Sequence, residues 1–400
     1  MNETILRRPS PSRLRKLWEL APGTIFLNHG SFGACPRAIL RLQAKLRAGM
    51  EAEPVQFLWR RYEERLEPAR QGLARFLGAA ARDLVFVTNA TTGVNAVVRS
   101  LRLRRGDELL TTNHDYNACH NVVAEAAHRA GAALVVAEVP FPLRSADEIV
   151  ESVVRAVTPR TRLAMIDHVT SNTALVFPVA RIVAELDSRG VDVLVDGAHA
   201  PGMLPLNLGR LQPAYYTGNL HKWVCAPKGA AFLWVREDKQ AELQPAVISH
   251  GNNTPRPGYS AFQDRFDWAG TFDPSAWMCV GAALDWMGRV LPGGWPAVRR
   301  ANHKLAVDAR RLLCARLGIT TPCPDNLLGA MATLPLPERF QGLARNGKID
   351  AEQLGLYDRF GVEVPFVRIG KPERRYFRIS AQLYNAQGDY EYLAEVLSRV

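Results

Sequence analysis

The sequence predicts an α/β fold in which a mainly parallel, seven-stranded sheet is flanked by helices and followed by a smaller α+β domain. Short apolar runs alternate with helical patterns between residues 84 and 235, and this alternation is typical of a parallel sheet with helices on both faces. Beyond residue 275 the patterns are mainly helical, with a few strands. At 400 residues the chain also exceeds the usual size of one hydrophobic core, so we expect two domains.

The seven strands are predicted from short runs rich in Val, Leu, Ile and Phe, which suit strands that are buried on both faces. In chain order these runs cover residues 84–88, 108–112, 134–136, 162–168, 191–195, 215–218 and 229–235. Between them, apolar residues recur with helical spacing at 91–103, 118–130, 147–157 and 179–189. In such a fold, ligands bind at the carboxyl ends of the strands.

Changes in composition divide the chain into four predicted segments. These are an N-terminal arm at 1–25, a large cofactor-binding domain at 26–248, a connector lining the active site at 249–275, and a small domain at 276–400. The connector is predicted to be irregular because it is rich in Gly, Pro, Asn and aromatic residues. Within the small domain we expect helices at 276–290, 295–317, 351–360 and 387–400, and strands at 331–334, 362–367 and 376–380.

The overall composition, with 47% hydrophobic and 22% charged residues, is that of an ordinary globular protein. The net charge of +11 raises the question of nucleic-acid binding, but the basic residues are interspersed with Glu, as at 60–65, and we expect no nucleic-acid partner. No apolar run is long enough to span a membrane. The six cysteines show no C-x-x-C spacing, which favours a reducing cytoplasm, and no metal site is predicted.

The segment 196–200, Asp-Gly-Ala-His-Ala, directly follows an apolar run, and Lys222 lies 26 residues beyond Asp196. A parallel strand would bring the Asp196 carboxylate to its carboxyl end. A lysine amine forms a Schiff base with an aldehyde, and a buried aspartate keeps a pyridine nitrogen protonated so that the ring accepts electrons. The pair therefore predicts a pyridoxal 5'-phosphate (PLP) enzyme in which Asp196 and Lys222 are catalytic.

A candidate phosphate site begins at Thr91, where a predicted helix follows the first sheet strand. The N–H groups and the positive dipole end at the start of a helix bind anions. Thr91, Thr92 and Gly93 therefore suit the cofactor phosphate, although they also suit an ordinary helix N-cap.

These motifs resemble those of class V aminotransferases of PLP fold type I, and most closely those of the isopenicillin N epimerase branch. The resemblance extends from residues 27–33, Leu-Asn-His-Gly-Ser-Phe-Gly, to residues 376–380, Tyr-Phe-Arg-Ile-Ser, and so includes nearly the whole chain. It implies the type I fold, the PLP cofactor and an amino-acid-type substrate.

The resemblance also implies roles for further residues. It places His221 and Thr271 at the cofactor phosphate, with Thr271 supplied by the neighbouring subunit, so active sites are expected at the interface of a homodimer. It places Tyr116 against the face of the pyridine ring as a catalytic and cofactor-binding residue, although a Tyr that only packs at a helix start gives the same pattern. His199 and Ser171 match positions that hydrogen-bond the phenolic oxygen of the ring.

Three residues are expected to bind the substrate. Arg378 lies in the segment 376–380, and a planar guanidinium binds a carboxylate through two parallel hydrogen bonds. The resemblance assigns Arg378 to the α-carboxylate of the substrate. It assigns Asn28 and His29 to an N-terminal segment that helps to orient the same carboxylate.

The reaction is expected to begin when Lys222 removes the Cα proton of the substrate. Epimerase or racemase chemistry is favoured by the resemblance, and a C–S or other Cβ lyase and an aminotransferase are the alternatives. An epimerase needs a proton donor on the face opposite Lys222, and Tyr116, His29 and Asp115 are candidates. Cysteine desulfurase chemistry is disfavoured, because those enzymes carry a nucleophilic Cys shortly before the carboxylate-binding Arg and residues 350–365 contain none.

A protein of another class is the last alternative, namely a PLP-fold binding module that has lost catalysis. The retention of Asp196, Lys222 and Arg378 together argues against it, because a binding module has no need of all three.

Overall fold

The computed structural model describes residues 6–342 and 350–399. Its N-terminal part contains one short strand and three helices, namely β1 (Ile25–Phe26), α1 (His29–Phe32), α2 (Arg37–Ala52) and α3 (Tyr62–Leu77). Helix α3 ends at Gly78, whose left-handed φ of 58° closes the helix. Within the described residues, no helix is long and apolar enough to cross a membrane.

The centre of the molecule is the predicted seven-stranded sheet. Its strands are β2 (Leu84–Val87), β3 (Glu108–Thr112), β4 (Ala133–Ala137), β5 (Thr161–Asp167), β6 (Asp192–Asp196), β7 (Tyr215–Asn219) and β8 (Ala231–Val235). Their order across the sheet is β2-β8-β7-β6-β5-β3-β4. The pairs from β7 to β4 are parallel, whereas β8 runs antiparallel to both of its neighbours.

Helices cover both faces of this sheet. They are α4 (Ala90–Ser100), α5 (Asn117–Ala130), α6 (Ala146–Arg155), α7 (Val179–Asp187) and α8 (Leu208–Leu211). On β5, Leu163 and Met165 belong to one apolar core, while Ala164 and Ile166 belong to another. Because successive strand residues point to opposite faces, these two cores lie on opposite sides of the sheet, which explains the continuous apolar runs in the sequence.

The connector differs from the prediction of an irregular segment. Residues 261–267 form helix α9 (Ala261–Asp267). The Ser260 hydroxyl accepts from the Gln263 N–H at 3.2 Å, and the Gln263 side chain accepts from the Ser260 N–H at 3.1 Å. This reciprocal capping box stabilises the first turn of the helix, and its Ser-x-x-Gln pattern was available in the sequence.

The small domain combines helices with a three-stranded antiparallel sheet. Its helices are α10 (Ser275–Met278), α11 (Val280–Arg289), α12 (Gly294–Leu317), α13 (Ala351–Phe360) and α14 (Gln387–Arg399). Its strands are β9 (Met331–Pro335), β10 (Val362–Glu363), β11 (Phe366–Ile369) and β12 (Arg374–Ser380), and the sheet order is β11-β12-β9. The predicted helix at 276–290 is thus divided between α10 and α11, and the predicted strand at 362–367 between β10 and β11.

The N-terminal arm is anchored on the small domain. Trp18 is 1% exposed, and its ring meets those of Trp286 and Tyr384 edge-on at 5.4 and 5.3 Å. Strand β1 pairs in parallel with β10, so the chain crosses the small domain before it enters the large one. This crossing places residues 28–33 between the two domains. The domain bounds stay a prediction, and residues 1–5, 343–349 and 400 lie outside the described residues.

Candidate active site

A cavity of about 650 Å³ lies at the carboxyl ends of the parallel strands. Asp167, Asp196 and Asn219, the last residues of β5, β6 and β7, belong to its wall. Both its volume and its position are those of a small-molecule site in an α/β sheet. The predicted site residues that line it are Thr91, Thr92, Tyr116, Ser171, Asp196, His199, His221 and Lys222.

The Asp196 carboxyl group is buried in the cavity wall and held in a fixed orientation. Its Oδ1 accepts from the Ala198 N–H at 2.9 Å, and its Oδ2 accepts from the Cys119 thiol at 3.2 Å. Burial raises the pKa of Asp196, and these two hydrogen bonds, with the positive charge of Lys222, oppose that rise. Asp196 is therefore placed to accept a hydrogen bond from a cationic N–H group in the cavity.

The Lys222 loop is held by close backbone contacts at two glycines. A side chain at Gly33 would meet the His221 carbonyl oxygen at 2.1 Å, and one at Gly202 would meet the Trp223 backbone at 2.6 Å. Both glycines have positive φ values, of 68° and 90°. Because only glycine fits these contacts, the N-terminal segment and the loop after Asp196 both pack directly against the Lys222 loop.

The Lys222 amine lies inside the cavity, with its Nζ 3.1 Å from Nε2 of His199. Burial lowers the pKa of Lys222 to about 8, and the positive charge of Arg378 adds to this effect. Burial also holds the pKa of His199 well below its usual range, again helped by neighbouring positive charge. The imidazole is therefore neutral, and a sizeable fraction of the amine is uncharged near pH 8, as a nucleophile or a base requires.

The start of helix α4 faces the cavity at a second place. Asn89 caps this helix by accepting from the Thr92 N–H at 2.8 Å, and the Asn219 side chain accepts from the Ala90 N–H at 2.8 Å. Thr91 and Thr92 both belong to the cavity wall. The two asparagines fix the helix start so that its dipole and the threonine side chains present a site for an anion.

The other residues predicted at the phosphate have different surroundings. His221 lines the cavity, and its Nδ1 lies 3.2 Å from the Ala230 carbonyl oxygen. Gly93 faces the sheet instead, where a Cβ would meet the Thr217 hydroxyl at 2.3 Å, so this glycine allows α4 to pack closely on β7. Thr271 is exposed and does not line the cavity of its own chain.

The Arg378 guanidinium is buried among neutral partners. Its Nη1 donates to the carbonyl and the hydroxyl of Ser171 at 2.6 and 3.2 Å, and its Nη2 donates to Ser31 Oγ at 3.0 Å and Asn28 Oδ1 at 3.2 Å. Its Nε has no partner in the described part of the chain, nor does any carboxylate there form an ion pair with it. Burial lowers the pKa of Arg378 to about 10. A buried cation without a counter-charge is a site for an anion.

His29 supports the Lys222 loop rather than lining the cavity. Its Nε2 lies 2.9 Å from the Lys222 carbonyl oxygen, and its Nδ1 lies 2.8 Å from the Tyr384 hydroxyl. A carbonyl only accepts, so Nε2 donates and Nδ1 accepts from Tyr384. Both ring nitrogens are thus occupied, and neither is available to the predicted substrate carboxylate.

Two exposed aromatic side chains, Phe32 and Tyr116, lie at the cavity mouth. Tyr116 precedes α5, and its phenol is close enough to affect the pKa of Arg378.

Sequence reasoning missed several residues of this wall, namely Ser31, Phe32, Asn89, Asn95, Asp167 and Asn219. Asn219 could have been found, because it is a polar residue that directly follows the predicted buried strand at 215–218. Asn89 could have been found as the N-cap of the predicted helix.

The described residues place no cysteine in the cavity wall and form no metal-binding cluster there. None of the six cysteines belongs to its wall, and Cys323 is buried, with its carbonyl oxygen accepting from Arg310 at 2.7 Å. Cys323 is therefore a packed residue. Across the ranges 6–342 and 350–399, no cluster of three or more His, Cys, Asp or Glu residues could hold a metal ion.

The residues of the cavity fit PLP. Asp196 offers a buried carboxylate to the ring nitrogen, the start of α4 offers Thr91 and Thr92 to the phosphate, and Lys222 offers an amine to the aldehyde. These three requirements are met in one cavity, and a neighbouring carboxyl oxygen, Asp167 Oδ1, is buried without a hydrogen-bond partner among the described residues.

Comparison with known proteins gives the family. Residues 37–336 match the model of the family described as aminotransferase class-V. The chain is 35% identical to isopenicillin N epimerase of Streptomyces clavuligerus, over 94% of this chain and 95% of that protein. It is 31% identical to putative L-cysteine desulfhydrase 1 of Oryza sativa subsp. japonica, over 94% and 83% of the two chains.

A solved structure also matches the fold. The structure of C-DES with glycine covalently linked to its PLP cofactor has a TM-score of 0.78 at 22% identity, covering 94% of this chain and 97% of that one. The chain therefore belongs to the class-V aminotransferase family, and both the predicted type I fold and the predicted cofactor, pyridoxal 5'-phosphate, are confirmed.

Proposed function

We propose that this PLP-dependent class V enzyme removes the Cα proton of an α-amino acid, or of a substrate derived from one, and returns a proton to the opposite face as an epimerase. An amino-acid substrate is best supported by Arg378, a buried guanidinium that has no ion-pair partner among the described residues, and the epimerase reaction is favoured by the 35% identity to an isopenicillin N epimerase. The α-carboxylate of an amino acid would supply the missing negative charge, and the guanidinium would exchange hydrogen bonds to its neutral partners for two hydrogen bonds to the carboxylate oxygens.

Arg378 is proposed to hold the substrate, and a separate set of cavity residues is proposed to hold the cofactor. When bound, PLP withdraws electrons from the Cα of the substrate, which makes its proton removable. Asp196 would accept a hydrogen bond from the ring nitrogen, and the start of α4 with Thr91 and Thr92 would hold the phosphate. Tyr116 would contact the ring, and Ser171 and His199 would bind its phenolic oxygen.

Lys222 is the proposed base. Burial lowers the pKa of its free amine to about 8, so the amine would be able to take up the Cα proton of the bound substrate near neutral pH. His199, 3.1 Å from the amine, keeps it oriented through a neutral imidazole. His29 is a positioning residue, because its Nε2 lies 2.9 Å from the backbone carbonyl oxygen of Lys222.

Tyr116 is the proposed proton donor on the other face. Of the three predicted candidates, His29 has both nitrogens occupied, and Asp115 accepts from Thr111 and contacts His120, both at 2.8 Å. Only Tyr116 of the three lines the cavity. It also comes from the end of β3, three strands away from the Lys222 loop after β7, so the two residues approach the cavity from different sides.

A C–S lyase is the second candidate function. It is favoured by the 31% identity to a putative L-cysteine desulfhydrase over 94% of the chain. Both reactions begin with the same proton abstraction by Lys222, and they separate afterwards. A lyase expels the sulfur substituent from Cβ and needs no proton donor on the face opposite Lys222.

One experiment tests the assignment. The PLP-loaded enzyme is incubated in D₂O with isopenicillin N, L-cysteine and a panel of L-amino acids, and products are followed by chiral chromatography and mass spectrometry. Deuterium at Cα with inverted configuration supports the epimerase, whereas sulfide with pyruvate supports the lyase. Amino transfer to a keto acid without inversion contradicts both.

The variant Tyr116→Phe provides the matched control, because it keeps the ring and removes only the hydroxyl. Inversion should fall by more than deuterium exchange if Tyr116 donates the second proton. Equal losses would assign the second proton to another group.

We also propose a homodimer with shared active sites. Thr271 is exposed and outside the cavity of its own chain, as expected for a residue that serves a partner. Large apolar side chains are exposed at Trp59, Val247 and Ile248, and Trp59 lies beside His250 of the connector. A second subunit would remove this apolar surface from water.

A further inference from the structure

A second carboxyl group, that of Asp167, lies in the cavity wall beside Asp196. The two residues end the neighbouring parallel strands β5 and β6 and are paired in register. Paired residues on parallel strands extend their side chains from the same face, with the strands about 5 Å apart. Asp167 is 3% exposed and lines the cavity together with Asp196.

The two carboxyl groups differ in their hydrogen bonds. Asp196 accepts from the Ala198 N–H and from the Cys119 thiol, at 2.9 and 3.2 Å. In the described structure the Oδ1 of Asp167 is buried and has no hydrogen-bond partner. Hydrogen bonds donated to a carboxylate stabilise its ionised form, and two adjacent buried carboxyl groups resist double ionisation. The asymmetry therefore makes Asp196 the carboxylate and Asp167 the protonated acid.

The charged groups around the pair agree with this assignment. Burial raises the pKa of Asp167 well above its usual range, and the negative charges of Asp196 and of Asp115, beyond the end of β3, raise it further. Lys222, from the loop after β7, opposes the rise. Cys119, on α5, is a buried neutral thiol whose own pKa is raised by burial and by both carboxyl groups.

We propose that Asp167 holds, in the cofactor-free protein, the proton that the ring nitrogen of PLP needs in order to pair with Asp196. The O–H bond of Asp167 breaks, an N–H bond forms at the ring nitrogen, and Asp167 is left as a carboxylate. The total charge of the site is unchanged by this transfer, so no additional charge has to enter the buried cavity from solvent. The inference rests on the proposed role of Asp196 as the partner of that nitrogen.

The test counts the protons that are taken up from solution when PLP binds. Calorimetric titration of the apoprotein with PLP, in buffers of different ionisation enthalpy, gives this number at a pH where the free ring nitrogen is largely unprotonated. Asp167→Asn keeps the shape of the side chain but has no proton to transfer, so it should take up about one more proton per site than the wild type. The protons exchanged in bond formation with Lys222 are common to both proteins and cancel. Equal uptake by the two proteins would overturn the proposal.

A second measurement does not depend on the titration. For the wild type, an infrared difference spectrum between holoprotein and apoprotein should show that a protonated-carboxyl band of the apoprotein is lost when PLP binds. Asp167→Asn should show no such loss. A band that persists in the wild-type holoprotein would also overturn the proposal. Should Asp167→Asn fail to fold, Asp167→Ser gives the same readouts, since it too lacks a titratable proton.

Two control variants separate this inference from the proposed function. Asp115→Asn removes another carboxyl group that acts on Asp167 and whose oxygen already contacts Thr111 and His120, and it should leave proton uptake as in the wild type. If Asp115→Asn changes proton uptake as much as Asp167→Asn does, any nearby charge has this effect, and the specific role of Asp167 is overturned. If PLP-loaded Asp196→Asn keeps the kcat of the wild type, the role of Asp196 fails. If Asp196→Asn has a lowered kcat but Asp167→Asn takes up as many protons as the wild type, only the inference about Asp167 fails.

Discussion

Nζ of Lys222 lies 3.1 Å from Nε2 of His199, with both groups buried in the cavity wall. Two positive charges at this distance would repel each other strongly in a buried site, so the pair carries at most one. Burial lowers the pKa of both groups, and the imidazole is the group that stays neutral. The contact therefore orients the amine, while burial and the positive charge of Arg378 lower its pKa.

The first prediction concerns the pH dependence of PLP attachment. Only the neutral amine attacks the aldehyde, so the rate at which the apoprotein binds PLP covalently should rise with pH, half-maximal at about 8, and then level off. Stopped-flow absorbance measures this rate. A half-maximal pH near the ordinary lysine value of 10.5 would show that the buried environment does not act as proposed.

The second prediction concerns Asp196. The isosteric change Asp196→Asn removes the charge that stabilises the protonated ring nitrogen, so kcat should fall by about 10² or more, while the fold is retained. Steady-state kinetics with thermal melting of the same samples separates the two effects. Wild-type kcat in a folded, PLP-loaded variant would rule out the proposed role.

The third prediction concerns the carboxylate-binding arginine. Arg378→Lys keeps the charge but loses the two-point contact, so kcat/KM should fall by roughly 10-fold to 10³-fold, because charged hydrogen bonds contribute about 1.5–3 kcal/mol. PLP binding and Tm should stay near the wild-type values. With amino-acid amides, which lack the carboxylate, kcat/KM should differ little between the wild type and Arg378→Lys.

Arg375, on the same strand, is the matched control. It is also buried, but it is ion-paired with Asp350 and Glu352. Arg375→Lys should therefore lower Tm and change kcat/KM little in the protein that remains folded. If Arg378→Lys instead lowers Tm as Arg375→Lys does, or loses activity equally on acids and amides, Arg378 is a structural residue.

The fourth prediction concerns sharing of sites between subunits. Each variant should have low activity as a homodimer. Thr271→Ala should bind PLP more weakly, and Lys222→Ala should lose the covalent bond to PLP. After the two are unfolded and refolded together, half of the dimers are hybrids, and each hybrid has one site with both residues intact. Activity should recover to about a quarter of the wild-type value. No recovery in confirmed hybrids, or a fully active monomer by light scattering, would place Thr271 outside the site.

Much of the fold could be predicted because its signals are local. Strands such as β3 and β6 are short apolar runs between helical patterns, and α13 has the predicted bounds 351–360. The helices α2 and α3 were not predicted, since their polar faces obscure the apolar spacing. Helix α9 was missed although Ser260 and Gln263 form a capping box, because the surrounding Gly and Pro residues dominated the interpretation.

The site was less predictable where it depends on contacts between distant segments. Asp196 and Lys222 stand out by their motifs. Asp167 does not, because its place in the site depends on the strand register that brings it beside Asp196. His29 was predicted at the substrate, yet it lies within hydrogen-bond distance of Lys222 and Tyr384, which follow it by 193 and 355 residues. Such pairings are set by how β1 crosses the small domain, and no local pattern encodes them.

Lys222 is the residue proposed to bind the cofactor covalently, and chemical labelling identifies that residue without relying on activity. The PLP-loaded enzyme is reduced with borohydride, digested, and mapped by mass spectrometry. The pyridoxyl label should lie on Lys222 alone, with Lys228, whose Nζ donates to the Gly33 carbonyl at 3.0 Å, unlabelled as the control in the same loop. A label on Lys228 or on any other lysine, with Lys222 unmodified, would show that Lys222 does not have this role.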